Sequence, residues 1–147
     1  MTAKELRIGN YVTHNDYSDG IFAVSEITRN DNGFIIDTIG GKNGYWGNHI
    51  SLVNPIQITE EWLIDLGFKI KNHDKLAKQC FEHDANGMNI ILARWHDNFD
   101  VYTKYDPIGL RKGRNAYNYI TNNRGIRYIH QLQNLYFALT GEELVIQ

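Results

Sequence analysis

The chain reads as an α+β protein in which runs of short strands lead first to a short helix and later to a long one. Three observations predict this class. The first is the block Ile126 to Glu143, IRYIHQLQNLYFALTGEE. At about 100° per residue, Ile129, Leu132, Leu135, Tyr136 and Leu139 fall on one side of a helix. Ile126 and Phe137 widen that arc and leave a polar strip of Arg127, Gln131 and Asn134. The second is a series of short strand-like runs with glycine-rich corners through residues 6–53. The third is a single short helical signal at residues 59–67, set between two β-rich stretches. Helices segregated from strands in this way exclude a βαβ alternation.

Taken in order, Leu6-Arg7-Ile8-Gly9-Asn10-Tyr11-Val12 alternates apolar and polar residues around a glycine and predicts a first strand. Ile21 to Thr28 and Phe34 to Thr38 predict a hairpin. Asn32-Gly33 is the turn signal between them, since a type I′ turn needs positive φ at both central residues. Gly40-Gly41-Lys42-Asn43-Gly44-Tyr45-Trp46-Gly47 turns the chain again before a strand at Ile50 to Val53. Pro55 marks a junction, giving two parts, 1–54 and 55–147. Thr59 serves as N-cap of the short helix, Glu60 and Glu61 suit its positive end, and Gly67 closes it. Phe68 to Lys71, Leu76 to Phe81, Met88 to Trp95 and Phe99 to Tyr105 predict an antiparallel meander with Asp/Asn/Gly turns such as Asp84-Ala85-Asn86-Gly87 and Asp97-Asn98. Ile90-Ile91-Leu92, apolar on both faces, is the expected central strand. Ala116 to Thr121 follows a basic loop, the long helix ends at Gly141, and Leu144-Val145-Ile146 offers a last short strand.

Composition bounds the function. A chain of 147 residues with 42% hydrophobic content suits one compact domain or one with a satellite, and lies far from the disordered class. The single cysteine, Cys80, excludes an intrachain disulfide framework and fits a reducing compartment as a buried thiol. No apolar run approaches the ~18 residues of a membrane span, so a cytoplasmic protein with no membrane partner is expected. Net charge is −2, yet Lys104, Arg111, Lys112, Arg114, Arg124 and Arg127 face only Asp106 between Val101 and Tyr128, a local excess of +5.

Two resemblances follow from these residues. The Leu6-x-x-Gly9-Asn10-x-Val12 start resembles the first strand of SH3-like barrels such as those of KOW-type domains, and implies a small SH3-like β-barrel over 1–54. That start, together with Ile58-Thr59-Glu60-Glu61-Trp62-Leu63, Leu66-Gly67-Phe68 and Tyr128 to Gly141, resembles a family of uncharacterised proteins of Bacteroidetes phages and prophages. The resemblance implies a phage-related role inside a bacterial cell and carries over no catalytic residue.

Candidate chemistry is sparse. His73-Asp74, His83-Asp84 and His96-Asp97 have the residue types for metal ligation or acid–base work. In a meander, however, successive turns lie at opposite ends, so turn structure is the expectation and no metal or cofactor is assigned. The run at 40–47 is not a phosphate loop, because Asn43 stands where Ser or Thr should follow Lys42. Tyr45 and Trp46 there are packing residues or, at sharpest, a ligand platform. His130 and Gln133 lie on the apolar side of the long helix and should hydrogen-bond in the core. The basic stretch is the strongest functional lead. Arg111, Lys112 and Arg114, with Tyr117, Arg124 and Arg127, form the expected binding set, and Tyr105, Tyr119 and Tyr128 lie nearby.

The resulting expectation is a non-enzymatic binding protein that recognises a host or phage protein. A nucleic-acid-binding accessory protein using residues 104–128 is the first alternative. Sequestration of a small anionic ligand and a His/Asp-dependent hydrolase are further ones. An apolar patch left over after folding would serve a homo-oligomer. Because the last helix carries so much apolar surface, a chain truncated before Arg127 is expected to be insoluble or to melt without cooperativity. Scanning calorimetry of the truncated product checks this.

Overall fold

The computed structural model describes residues 1–40, 45–73, 77–105, 116–121 and 125–147. Within them the chain forms two antiparallel sheets and two α-helices. Contacts divide it into two compact units: residues 1–57 with 128–143, and residues 58–127 with 144–147.

Unit 1 holds β1 (Tyr11–His14), β2 (Tyr17–Asn30), β3 (Gly33–Gly40), β4 (Tyr45–His49), β5 (Val53–Pro55) and the long helix α2 (Ile129–Thr140). The sheet order is β4-β3-β2-β1-β5, and no ladder joins β4 to β5 among the described residues, so the sheet is open rather than a closed barrel. Its core is Ala3, Leu6, Val12, Phe22, Val24, Ile36 and Val53, with Ile27, Phe34 and Ile50 against it. A register shift between Val24 and Glu26 changes the phase of β2, which is why Val24 and Ile27 both contribute to the core.

Several expected elements shift. The first strand begins at Tyr11, not Leu6, since the chain from Arg7 to Asn10 is a turn: the Arg7 amide donates to Asn10 Oδ1 (2.8 Å) and the Asn10 amide to the Arg7 carbonyl (3.2 Å). A side-chain amide competing with the ladder outweighs the alternating pattern. The first hairpin loop is Asp31-Asn32, one residue early, because Asn30 pairs with Gly33 and Asn30 Oδ1 accepts the Asn32 amide. Residues 50–52 form a 3-10 turn rather than a strand, with His49 Nδ1 accepting the Ser51 amide.

The long helix corrects the domain expectation. It belongs with the first sheet, not with residues 55–127. Its buried face is Ile129, His130, Leu132, Gln133 and Tyr136, while Phe137 is exposed and Leu135 and Leu139 are half-buried. The face is rotated toward two polar residues because Gln133 has partners there. Gln133 Oε1 accepts the Tyr11 amide (2.8 Å) and its Nε2 donates to the Gly9 carbonyl (3.2 Å). Asn134 adds a bond to the Glu5 carbonyl and accepts one from Asn10. At the helix entry the Ile129 amide donates to the Ile56 carbonyl, and Gln57 bridges Tyr128. Gly141 ends the helix in the left-handed region at φ 77°, as its position required. Arg7 lies over the Phe137 ring at 3.7 Å while pairing with Glu143 at 2.8 Å, shielding the exposed aromatic.

Unit 2 holds α1 (Glu60–Asp65) and a pure meander: β6 (Lys69–His73), β7 (Ala77–Ala85), β8 (Met88–Trp95), β9 (Asn98–Tyr105) and β10 (Ala116–Tyr119), in spatial order β10-β9-β8-β7-β6. Thr59 Oγ1 caps α1 by accepting the Trp62 amide. The expected central strand is central: Ile90, Ile91 and Leu92 of β8 are all buried. Register places Phe81, Leu92 and Val101 side by side on one face and Glu82, Ile91 and Tyr102 on the other. Leu144-Val145-Ile146 adds no strand. Leu144 is buried instead, and the Gln147 amide donates to the Asp65 carbonyl.

Gln133→Met keeps side-chain length but leaves the Tyr11 amide and Gly9 carbonyl without their partner. A loss of ~1–3 kcal/mol is expected, read from urea unfolding midpoints.

Candidate functional site

The second face of the unit 2 sheet gathers the chemistry. Paired residues in an antiparallel ladder share a face, so the register of β9 with β10 sets Tyr117 beside Lys104 and Tyr119 beside Tyr102. Tyr102 and Tyr117 pack on a buried apolar floor of Cys80, Ile91 and Ala93. The Tyr102 and Tyr119 rings lie 5.2 Å apart, and Tyr119 Oη donates to Asp100 Oδ1 (3.1 Å). Tyr119 is 40% exposed, the most open of the three. Burial, reinforced by Asp100, pushes the Tyr102 phenol above its ordinary pKa, so it stays protonated and able to donate.

Charges flank this floor on β6 and β7. Glu82 is 7% exposed, and its Oε2 meets Lys71 Nζ at 2.5 Å. The bond to Glu82 holds the Lys71 ammonium above its usual pKa, so Lys71 is charged at neutral pH. A cleft of about 230 Å³ opens here, lined by Lys69, Lys71, Glu82, His83, Asp84 and Gln147 among others. Across the face Lys69, Lys71 and Lys104 stand against Glu82, Asp84 and Asp100. The described surface is therefore balanced in charge and rich in tyrosine.

Of the expected binding set, Tyr117 lies on this face. Arg127 is exposed and pairs with Asp97 at 3.6 Å, a surface pair of small worth. Arg111, Lys112, Arg114 and Arg124 lie outside the described residues. Tyr45 and Trp46 fall on β4 opposite Ile39 and Thr38, and their side chains lie outside the description. Tyr128 belongs to unit 1, its ring stacked 5.8 Å from that of His130. Sequence reasoning missed Tyr102 and Asp100. The alternation of β9 was the available signal, but only the pairing with β10 brings these residues to Tyr119.

The His-Asp pairs do not converge. His83-Asp84 lies within β7 rather than in a turn, so its side chains leave opposite faces. His83 packs against Phe68 at 5.0 Å, and burial lowers its pKa despite Asp84; Asp84 accepts from Asn89 Nδ2. His96-Asp97 forms the two-residue β8–β9 turn, with His96 at φ 54°. Asp74 and the His73 side chain lie outside the described residues. Among the described residues no group of three His, Cys, Asp or Glu side chains could hold a metal.

Gln133 bonds to backbone as expected. His130 does not: it is 1% exposed and neither ring nitrogen has a hydrogen-bond partner among the described residues. Burial lowers its pKa below 6.5; Glu5 opposes that shift and the chain's amino group adds to it. The unfolded chain thus binds this proton more tightly than the folded one. The stability linked to His130 is complete above about pH 6.5 and is lost as pH falls below it. Urea midpoints at about pH 7.5 and 5.5 should drop on acidification for the wild type and drop less for His130→Phe.

Comparison with known proteins returns no match of any kind: no family model, curated protein or solved structure is similar to this chain.

Proposed function

We propose that this is a non-enzymatic recognition protein that binds an acidic protein surface through the tyrosine face of β9 and β10, together with the basic residues that flank β10 in sequence. One observation carries the reading: Tyr102, Tyr117 and Tyr119 stand on one sheet face over an apolar floor, beside acidic and basic side chains. Tyrosines anchored by packing and by one hydrogen bond present rigid amphipathic area at little entropic cost, the composition that dominates protein interfaces. The local excess of +5 around β10 supports an acidic partner. The balanced charge of the described face favours a protein over nucleic acid, whose phosphates would meet Glu82, Asp84 and Asp100 as well as the lysines.

The three sequence blocks that resemble a Bacteroidetes phage and prophage family support a role inside an infected bacterial cell, with a host or phage protein as partner. Among the described residues no helix is long and apolar enough to cross a membrane. The SH3-like reading of unit 1 is supported by the order β4-β3-β2-β1-β5 and by the 3-10 turn that leads into β5.

The test compares the wild type with Tyr119→Ala and Lys104→Glu as baits in extract of the bacterial host. An acidic protein retained by the wild type and released about tenfold more readily from each variant is the expected result. Equal retention by all three removes the proposal. Tight binding of a labelled oligothymidylate that collapses with added salt transfers the assignment to nucleic acid.

A further inference from the structure

Two Asn-Gly steps lie in hairpins of the described structure, and the fold treats them oppositely. Asn-Gly is the dipeptide most prone to spontaneous ring closure, because glycine puts no side chain in the path of its own amide nitrogen. At Asn32-Gly33 the side chain of Asn32 is exposed, but the backbone of the step is held. Gly33 pairs with Asn30 in the β2–β3 ladder. The Asn32 amide is held by Asn30 Oδ1 at 2.9 Å, and the Asn32 carbonyl lies 3.2 Å from His49 Nε2. Since His49 Nδ1 accepts the Ser51 amide, the ring proton sits on Nε2 and donates to that carbonyl. The same Nε2 lies 3.0 Å from where a Cβ of Gly33 would be, so the imidazole covers the glycine.

Asn86-Gly87 has none of these guards. It forms the two-residue loop between β7 and β8, Ala85 pairing with Met88, with φ of 48° and 80° at its two positions. These signs at both central positions match a type I′ turn, the geometry that leaves the second loop residue's amide outside the ladder. Both residues are exposed, and among the described residues nothing lies within 4 Å of where a Cβ of Gly87 would be.

We propose that Asn86 is a site of spontaneous deamidation in the folded protein and that Asn32 is protected. The Gly87 amide nitrogen gives its proton to solvent base and adds to Cγ of Asn86. The side-chain nitrogen takes a proton back from solvent, its bond to Cγ breaks and it leaves as ammonia, closing a five-membered succinimide. Water then opens the ring. Cleavage between Cγ and the Gly87 nitrogen yields an aspartyl residue; cleavage between the main-chain carbonyl carbon and that nitrogen yields an isoaspartyl residue, whose backbone runs through Cγ. Either product adds a carboxylate to the hairpin that carries Asp84 and its partner Asn89.

The experiment incubates the full folded chain in mildly alkaline buffer at physiological temperature and follows each Asn-Gly peptide by mass spectrometry with electron-transfer fragmentation. Asn43-Gly44, outside the described residues, is tracked as a third site. Asn86 should convert roughly tenfold faster than Asn32, with both aspartyl and isoaspartyl products; that ratio equals ~1.4 kcal/mol in barrier. In denaturant the two rates should converge, which shows that the difference belongs to the fold. His49→Ala, confirmed folded by its circular dichroism, should speed Asn32 and leave Asn86 unchanged. Conversion of Asn32 at or above the rate of Asn86 in the folded chain overturns the proposal, as does a gap that persists in denaturant.

Discussion

One buried side-chain amide organises the first unit. Gln133 lies in the middle of α2 with 1% of its surface exposed, where an unmet amide would be costly. Its oxygen and nitrogen are met by the Tyr11 amide and the Gly9 carbonyl, backbone groups at the point where the chain enters β1. A helix held only by leucines could rotate or slide by a residue at modest expense. A helix held by a donor and an acceptor at fixed spacing has one register. Asn134, bonded to the Glu5 carbonyl and to Asn10, repeats the arrangement one residue on. The turn that delays β1 to Tyr11 thereby supplies the groups that seat α2.

That interaction also marks where sequence reasoning reached its limit. The existence of α2, its left-handed cap at Gly141, the Thr59-capped helix and the central position of Ile90-Ile91-Leu92 are written in local pattern, and pattern suffices for them. The orientation of α2 is not. Periodicity counts Leu135 and Leu139 as interior because they are apolar, whereas the partners that draw Gln133 inward come from the opposite end of the chain. The membership of α2 in unit 1 was hidden for the same reason: proximity in sequence favoured the meander, and the deciding bonds span more than a hundred residues. The first strand starts at Tyr11 rather than Leu6 because Asn10 bonds its own neighbourhood.

The candidate face was half legible. Charge counting located the basic stretch, and Tyr117 was named with it. The companion residues depended on register, since only the alignment of Tyr119 with Tyr102 and of Tyr117 with Lys104 assembles them. The unit 2 sheet is thus used asymmetrically. One face, with Phe81, Leu92 and Val101, is chiefly apolar. The other buries a thiol and a carboxylate bound to lysine, and carries three tyrosines held by packing or by an aspartate. A face that had only to be covered would not need acidic and basic groups, whose burial is offset only by close pairing.

The interrupted path of unit 1 bears on how the protein is made. Residues 58–127 intervene between its strands and its helix, so about seventy residues must be translated before α2 exists. At ordinary elongation rates that is an interval of roughly 4–14 s. Throughout it the nascent sheet offers Tyr11 and Gly9 no complementary amide, and the apolar surface that α2 later occupies stays open. The inserted meander, built almost wholly from neighbouring hairpins, has the local connectivity to mature during the wait. The strands of the middle unit can therefore pair before the first unit has its helix, and both units close only with the last twenty residues, 128–147.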